Sequence, residues 1–263
     1  MIVTTPDGVD LWFDHEGDGP AVLLIPGRGD PTDLFPAEFS SALLSGGLSV
    51  LRWDPRDTGL SGAGGDAYTI TTLAEDAVTV LDAAAVETAH VVGISMAGLM
   101  LTYLAGHHAP RVRSLTYIAA LSPHPEAGMG EDFFGALDVD EPDRADELLR
   151  AMGETTDADR AWAVASIAAG DRRAPYRPEA VARHQEAAFR LDWPTMETLR
   201  SIQIPTQVFH GRLDRIVPVA HADAIAAGTA GSLTIIDDMG HIPRRRDWLT
   251  IADQIVALHA GQP

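Results

Sequence analysis

The chain has 263 residues, 46% of them hydrophobic and 22% charged, which suits one α/β domain with an insertion and excludes global disorder. A formal net charge of -19 sets nucleic acid and anionic membrane aside as main partners, because phosphates would repel it. The absence of Cys removes disulfides, thiolate catalysis and Cys-ligated metals.

The opening residues, Met1 to Gly8, hold neither a basic segment nor an apolar one of the signal-peptide kind. No apolar run approaches the roughly 20 residues that span a bilayer. A soluble cytoplasmic protein is expected, with monomer and homodimer both open. Leu11-Trp12-Phe13 follows the turn signal Asp7-Gly8 and predicts a hairpin strand. Ala21 to Ile25, Leu48 to Trp53 and His90 to Ile94 are short continuous apolar runs, each stopping at Pro, Gly, Asp or Ser. Strands buried on both faces of a parallel sheet read this way.

Helical spacing fills the gaps at Ala37 to Leu44, Leu73 to Leu81 and Met96 to His108, the last ended by Pro110. Strand and helix in alternation predict right-handed crossovers and a doubly wound sheet. A further strand is expected from Leu115 to Leu121, and there the rhythm breaks. Residues 122–200 carry Pro123, Pro125, Pro142, Pro175, Pro178 and Pro194, with helical pieces at Arg144–Met152 and Arg160–Ala169. They read as a helical cap inserted into a core made of 1–121 and 201–263. Strands return at Ile204 to His210 and Leu233 to Ile236, and a helix from Asp247 to His259 closes the core.

The chemistry concentrates in Gly93-Ile94-Ser95-Met96-Ala97-Gly98. A strand enters a sharp turn at Ser95 and a helix leaves it, which is the setting of a nucleophile elbow. Neighbours two residues away on either side must be small, and they are Gly93 and Ala97. The usual pattern has a second glycine where Ala97 stands, with Gly98 one residue on. A hydroxyl nucleophile needs a base, and the base needs a carboxylate to orient it. Asp214 follows the Ile204–His210 strand and His241 follows the Leu233–Ile236 strand, so both lie at the sheet edge where Ser95 lies. The order Ser…Asp…His fits this fold. Backbone N–H groups for an oxyanion hole are expected from Met96 and from Arg28, in Pro26-Gly27-Arg28-Gly29, with Gly27 as the weaker candidate for the second donor.

The sequence resembles the α/β-hydrolase superfamily along essentially its whole length. Asp54-Pro55-Arg56-Asp57-Thr58-Gly59-Leu60-Ser61 is similar to that superfamily's D-x-R-G-x-G-x-S element. Together with Ala89 to Met96, it resembles the aclacinomycin methylesterase branch, cofactor-free esterases of polyketide methyl esters. The resemblance implies a mostly parallel sheet of about eight strands with a helical cap, and the triad Ser95, Asp214 and His241. It also implies a small ester-like substrate and no cofactor or metal. Lactone, thioester or carbon–carbon hydrolysis and perhydrolysis stay open on the same triad. So do a slow hydrolase-like receptor and a polyketide cyclase or decarboxylase.

Other polar residues read as structural. Arg56 and Asp57 brace loops, His107 and His108 face different sides of a helix end, His210 packs near the site, and Arg244-Arg245-Arg246 is a solvated loop or helix start. The Arg28 side chain is equally suited to touch substrate or to point outward. Among Phe133, Phe134, Trp162, Phe189 and Trp193, at least some should line an apolar pocket under the cap.

Overall fold

A computed structural model describes residues 1–65, 67–124, 126–132, 144–190 and 192–260; Pro125, Phe133, Phe134 and Pro142 lie outside these. The chain starts as a hairpin of β1 (Ile2–Thr4) and β2 (Asp10–Glu16), paired antiparallel with Val3 opposite Leu11. Gly8, at φ 89°, turns the chain between them, as the Asp7-Gly8 signal predicts.

The continuous apolar runs become β3 (Ala21–Ile25), β4 (Ser49–Trp53) and β5 (Ala89–Ile94). Their side chains alternate between two buried clusters. Leu23, Ile25, Leu51, Trp53 and Val91 enter one, while Val22, Leu24, Val50, Val92 and Ile94 enter the other. Both sheet faces are therefore covered, and Ser49, Arg52 and His90 are the polar positions in these three strands. Fully burying each such side chain contributes about 1.5–3 kcal/mol, so the central strands hold the sheet together.

β6 (Val112–Ile118), β7 (Thr206–Gly211) and β8 (Ser232–Ile236) complete an eight-stranded sheet in the order β1-β2-β4-β3-β5-β6-β7-β8. Pairing is parallel from β4 to β8. The strand expected at Leu115–Leu121 sits three residues earlier. Arg113 and Ser114 break the apolar run at its start, and Ala119, at φ 43°, bends the chain at its end.

Helix α1 (Ala37–Ser45) covers one face of the sheet, where Phe39 meets Trp248 edge-on at 5.0 Å. Helices α2 (Ile70–Ala83) and α3 (Ala97–His107) cover the other. Thr69 caps α2 and exchanges hydrogen bonds with Thr72, which starts that helix three residues before its apolar pattern shows. Between β6 and β7 lie α4 (Arg144–Met152), α5 (Asp157–Arg173), α6 (Pro178–Phe189) and α7 (Met196–Ser201), with no strand among the described residues there. Leu199 of α7 is buried with the residues of α3. Helix α8 (Val219–Thr229) joins the α2–α3 face, and α9 (Arg245–Ala260) joins α1 through Trp248 and Ile251.

This winding places the site. The chain leaves β3 for α1 on one face and leaves β5 for α3 on the opposite face, although β3 and β5 are neighbours. Their C-terminal ends therefore open a crevice, the usual ligand position in such sheets. Among the described residues, no helix is long and apolar enough to cross a membrane.

Candidate active site

Ser95 occupies the turn between β5 and α3 with φ 59°, a left-handed conformation that costs a non-glycine residue energy. Three backbone hydrogen bonds hold it: its N–H donates to Ile118 O at 3.0 Å, and its carbonyl accepts from Gly98 and Leu121 at 3.0 and 2.9 Å. Space dictates the small neighbours. A methyl group on Gly93 would sit 2.9 Å from the Ala97 Cβ, and one on Gly98 would sit 2.3 Å from Leu121 O. The Ala97 methyl is buried on the empty side of Gly93. The turn thus needs Gly93 and Gly98 and accepts alanine between them.

Asp214 and His241 reach Ser95 from two loops that press together. A methyl group on Gly211 would collide with Gly240 O at 2.1 Å, and Leu213 N–H donates to Met239 O at 3.0 Å. His241 Nε2 lies 2.9 Å from Ser95 Oγ, and its Nδ1 lies 2.8 Å from Asp214 Oδ2. The other Asp214 oxygen accepts the N–H groups of Ile216 and Val217, each at 2.8 Å. Burial opposes ionisation of Asp214, but His241 and hydrogen bonds from both His210 and His241 outweigh it and hold the carboxyl well below the usual range. His210 Nε2, 2.8 Å from Val217 O, is also 3.2 Å from Asp214 Oδ2. That side chain braces the carboxylate as well as packing beside it.

Met96 caps α3 and is buried. The loop after β3 runs beside Ser95, since a methyl group on Gly27 would stand 3.3 Å from the Ser95 Cβ. Arg28 Nη1 donates to Gln185 Oε1 of α6 at 2.5 Å, so its guanidinium turns to the insertion and forms part of a cavity wall. That cavity, about 690 Å³, opens onto Ser95 and His241 beneath the α4–α6 helices. Trp162, Leu148, Met152 and Ile242 give it an apolar side. Of the aromatic residues expected there, Phe189 is instead exposed and Trp193 packs on the main core. Phe133 and Phe134 lie outside the described residues.

The arginine run differs from expectation. Arg244 is buried rather than solvated: it binds Asp247 at 2.7 Å, Asp238 at 2.7 Å and the Glu154 carbonyl at 2.9 Å, which anchors the loop behind His241. Arg245 and Arg246 are exposed at the start of α9. Arg56 grips Asp76 and Asp7, while Asp57 accepts from Gly64 and Tyr68. His108 pairs with Glu75 at 2.8 Å and His107 stacks on Tyr103. Among the described residues no group of acidic and His side chains could hold a metal ion.

Residues 20–243 match the family described as alpha/beta hydrolase fold. The chain belongs to that family. Relatives include the rhodomycin D methylesterases DauP of Streptomyces sp. (strain C5), 38% identical over 142 residues, and DnrP of Streptomyces peucetius, 37% identical over 142 residues. Each of these alignments covers 52% of this chain and 43% of the relative, so the chain spans less than half the length of these curated relatives. A solved hydrolase from Pseudomonas aeruginosa PA01 shares the fold with a TM-score of 0.81 and 23% identity, covering 100% of this chain and 98% of that one.

Within this hydrolase-fold chain, three residues at the site escaped the sequence reading. His184 of α6 reaches the Arg28–Gly29 loop, Arg173 of α5 binds Asp54, and Asp30 lines the cavity. The first two act across more than a hundred residues, where no local pattern signals contact. Asp30 had a usable signal, because it closes the glycine turn after β3 at the sheet edge that carries Ser95.

Proposed function

We propose that the protein is a serine esterase that cleaves a small-molecule carboxylic ester, foremost a methyl ester, through an acyl-enzyme on Ser95. The observation that carries this reading is the continuous chain Ser95 Oγ, His241, Asp214, with links of 2.9 and 2.8 Å. As Ser95 Oγ bonds to the ester carbonyl carbon, His241 Nε2 takes its proton and Asp214 stabilises the imidazolium. The N–H groups of Met96 and Arg28 hold the oxyanion. Collapse breaks the ester C–O bond, and His241 returns the proton to the departing alkoxide, which leaves as the alcohol. Water then attacks the acyl carbon while His241 takes its proton. The second collapse frees the acid and restores the Ser95 hydroxyl.

These steps need no cofactor. The insertion of residues 122–200 acts as a cap between core segments 1–121 and 201–263, and it shapes the cavity that selects the acyl group. The methyl-ester reading draws on the two methylesterase relatives and on the resemblance of the Asp54–Ser61 and Ala89–Met96 segments to the aclacinomycin methylesterase branch.

The test pairs fluorophosphonate labelling with a panel of esters, lactones and thioesters on wild type and Ser95→Ala. Labelling at Ser95 and ester turnover that vanishes in Ser95→Ala are expected. A folded protein that stays unlabelled, or turnover that survives the substitution, would sink the mechanism.

A further inference from the structure

Asp30 stands at the end of the loop that passes Ser95. A methyl group on Gly27 would be 3.3 Å from Asp30 Oδ2 and 3.3 Å from the Ser95 Cβ, so carboxylate and nucleophile border the same small space. Both line the cavity under the α4–α6 helices, together with His241.

Its bonding sets it apart from the buried carboxylates. Asp54 accepts from Thr32, Leu60 and Arg173, and Asp57 accepts from Gly64 and Tyr68. Asp76 pairs with Arg56, and Asp247 with Arg244. The Asp30 carboxylate has no hydrogen bond or ion pair among the described residues, although it is half-buried in the cavity wall. A partly buried acceptor without a partner costs stability, and one that holds nothing among the described residues is poised to hold a ligand.

Charge decides what kind of donor fits. Arg28 on the same loop, Arg144 on α4 and His241 behind β8 all act on Asp30 electrostatically. Two permanent cations beside the carboxylate disfavour an ammonium ligand. A neutral donor suffers no such repulsion.

We infer that Asp30 is a substrate-recognition residue whose carboxylate accepts a hydrogen bond from a hydroxyl group carried close to the scissile carbonyl, so that hydroxylated esters are the substrate class of this site. This rests on the esterase reading and adds the acyl group's chemistry to it. A hydrogen bond to a charged group discriminates about ten- to a hundredfold against a partner that lacks it.

The experiment compares methyl 3-hydroxy-3-phenylpropanoate with methyl 3-phenylpropanoate on wild type, Asp30→Leu and Asp30→Asn, with fluorophosphonate labelling of Ser95 as the check that each variant is folded. Wild type should favour the hydroxylated ester in kcat/KM by about tenfold or more. The ratio should fall to near one in Asp30→Leu and lie between in Asp30→Asn, which keeps an acceptor oxygen. A wild-type ratio near one, or a ratio unchanged in Asp30→Leu, overturns the inference. Calorimetric binding of the same two esters to Ser95→Ala, with and without Asp30→Leu, measures the preference without turnover. No preference in Ser95→Ala, or one that survives Asp30→Leu there, counts against the Asp30 inference alone, whereas a folded wild type unlabelled at Ser95 counts against the esterase reading alone.

Discussion

His184 Nδ1, on helix α6, accepts a hydrogen bond of 2.9 Å from the N–H of Gly29, next to the proposed oxyanion donor Arg28. Its Nε2–H donates to Arg56 O at 2.9 Å, so one buried imidazole joins the insertion, the loop after β3 and the loop after β4. Burial is the chief cause that lowers its pKa to about 4, only partly offset by the bond to Arg56. The neutral ring is therefore the bound form. Between about pH 6.5 and pH 4 the unfolded chain takes up a proton there that the folded chain refuses, so stability falls as pH falls through that window. His184→Gln should flatten the slope of urea midpoint against pH. His184→Leu strands the Gly29 and Arg56 backbone groups and should cost about 1–3 kcal/mol. If the loop positions the oxyanion donors, kcat should drop in the Leu variant more than KM rises, and Gln should restore part of it. Equal kcat in all three proteins would reduce His184 to a packing residue.

Asp214→Asn should lower kcat by about 10⁴ with little change in KM, because the amide favours the wrong His241 tautomer. Ser95→Ala and His241→Ala should each leave only the residual rate of oxyanion binding, and the double variant should be hardly worse than either. Steady-state kinetics on the best ester of the panel would check this. Additive losses would count against a triad acting as a unit.

The turn at Ser95 predicts opposite outcomes at adjacent positions. Ala97→Gly restores the commoner glycine and should cost under about 1 kcal/mol, with activity kept within about twofold. Gly98→Ala forces a methyl group to 2.3 Å from Leu121 O, a backbone atom that cannot swing aside. That variant should lose both thermal stability and fluorophosphonate labelling. Equal behaviour of the two would show that the steric account is wrong.

The same contrast explains what was legible in the sequence. Strands β3, β4 and β5 could be read from composition because both faces are covered. The elbow at Ser95 could be read because backbone geometry restricts its neighbours. β6 starts three residues before its apolar run, its start hidden by Arg113, and a period-based argument cannot see a bend such as that at Ala119. Arg244 looked like a surface run because charge suggests solvent, yet Asp238 and Asp247 satisfy it in the interior. His184 and Arg173 belong to contacts between the insertion and the core, which no local spacing encodes.

Arg173 illustrates the cost of such a contact. It binds both oxygens of the fully buried Asp54 at 2.8 Å, reaches Asp33, and stacks over Trp12 at 4.7 Å. Replacing it by Met keeps the volume but leaves the Asp54 charge, among the described residues, with only the Thr32 and Leu60 N–H groups. Losing one partner of a buried pair costs about 3–5 kcal/mol, and the partial exposure of Arg173 places the expected loss at the lower end. Limited proteolysis should then cut within the α4–α6 segment before the core. Cleavage rates equal to wild type would mean that other contacts hold the insertion in place.

Asp30 makes the opposite pH prediction to His184. Burial, opposed by Arg28, His241 and Arg144, pushes its carboxyl up to about 6, against an ordinary value of 3.8. The folded state therefore holds a proton that the unfolded state has released. Its relative stabilisation is complete below about pH 3.8 and is lost as pH rises through about 6. Asp30→Asn cannot ionise, so it should gain stability over wild type above pH 6 and show little gain near pH 4. Urea unfolding of both proteins at pH 4, 6 and 8 would measure the difference. A gain that is the same at pH 4 and pH 8 would mean that packing, and not the charge, accounts for it. A gain confined to high pH would show a carboxylate that the fold keeps at a cost, with stability given up for a group that a hydroxyl-bearing ligand can use.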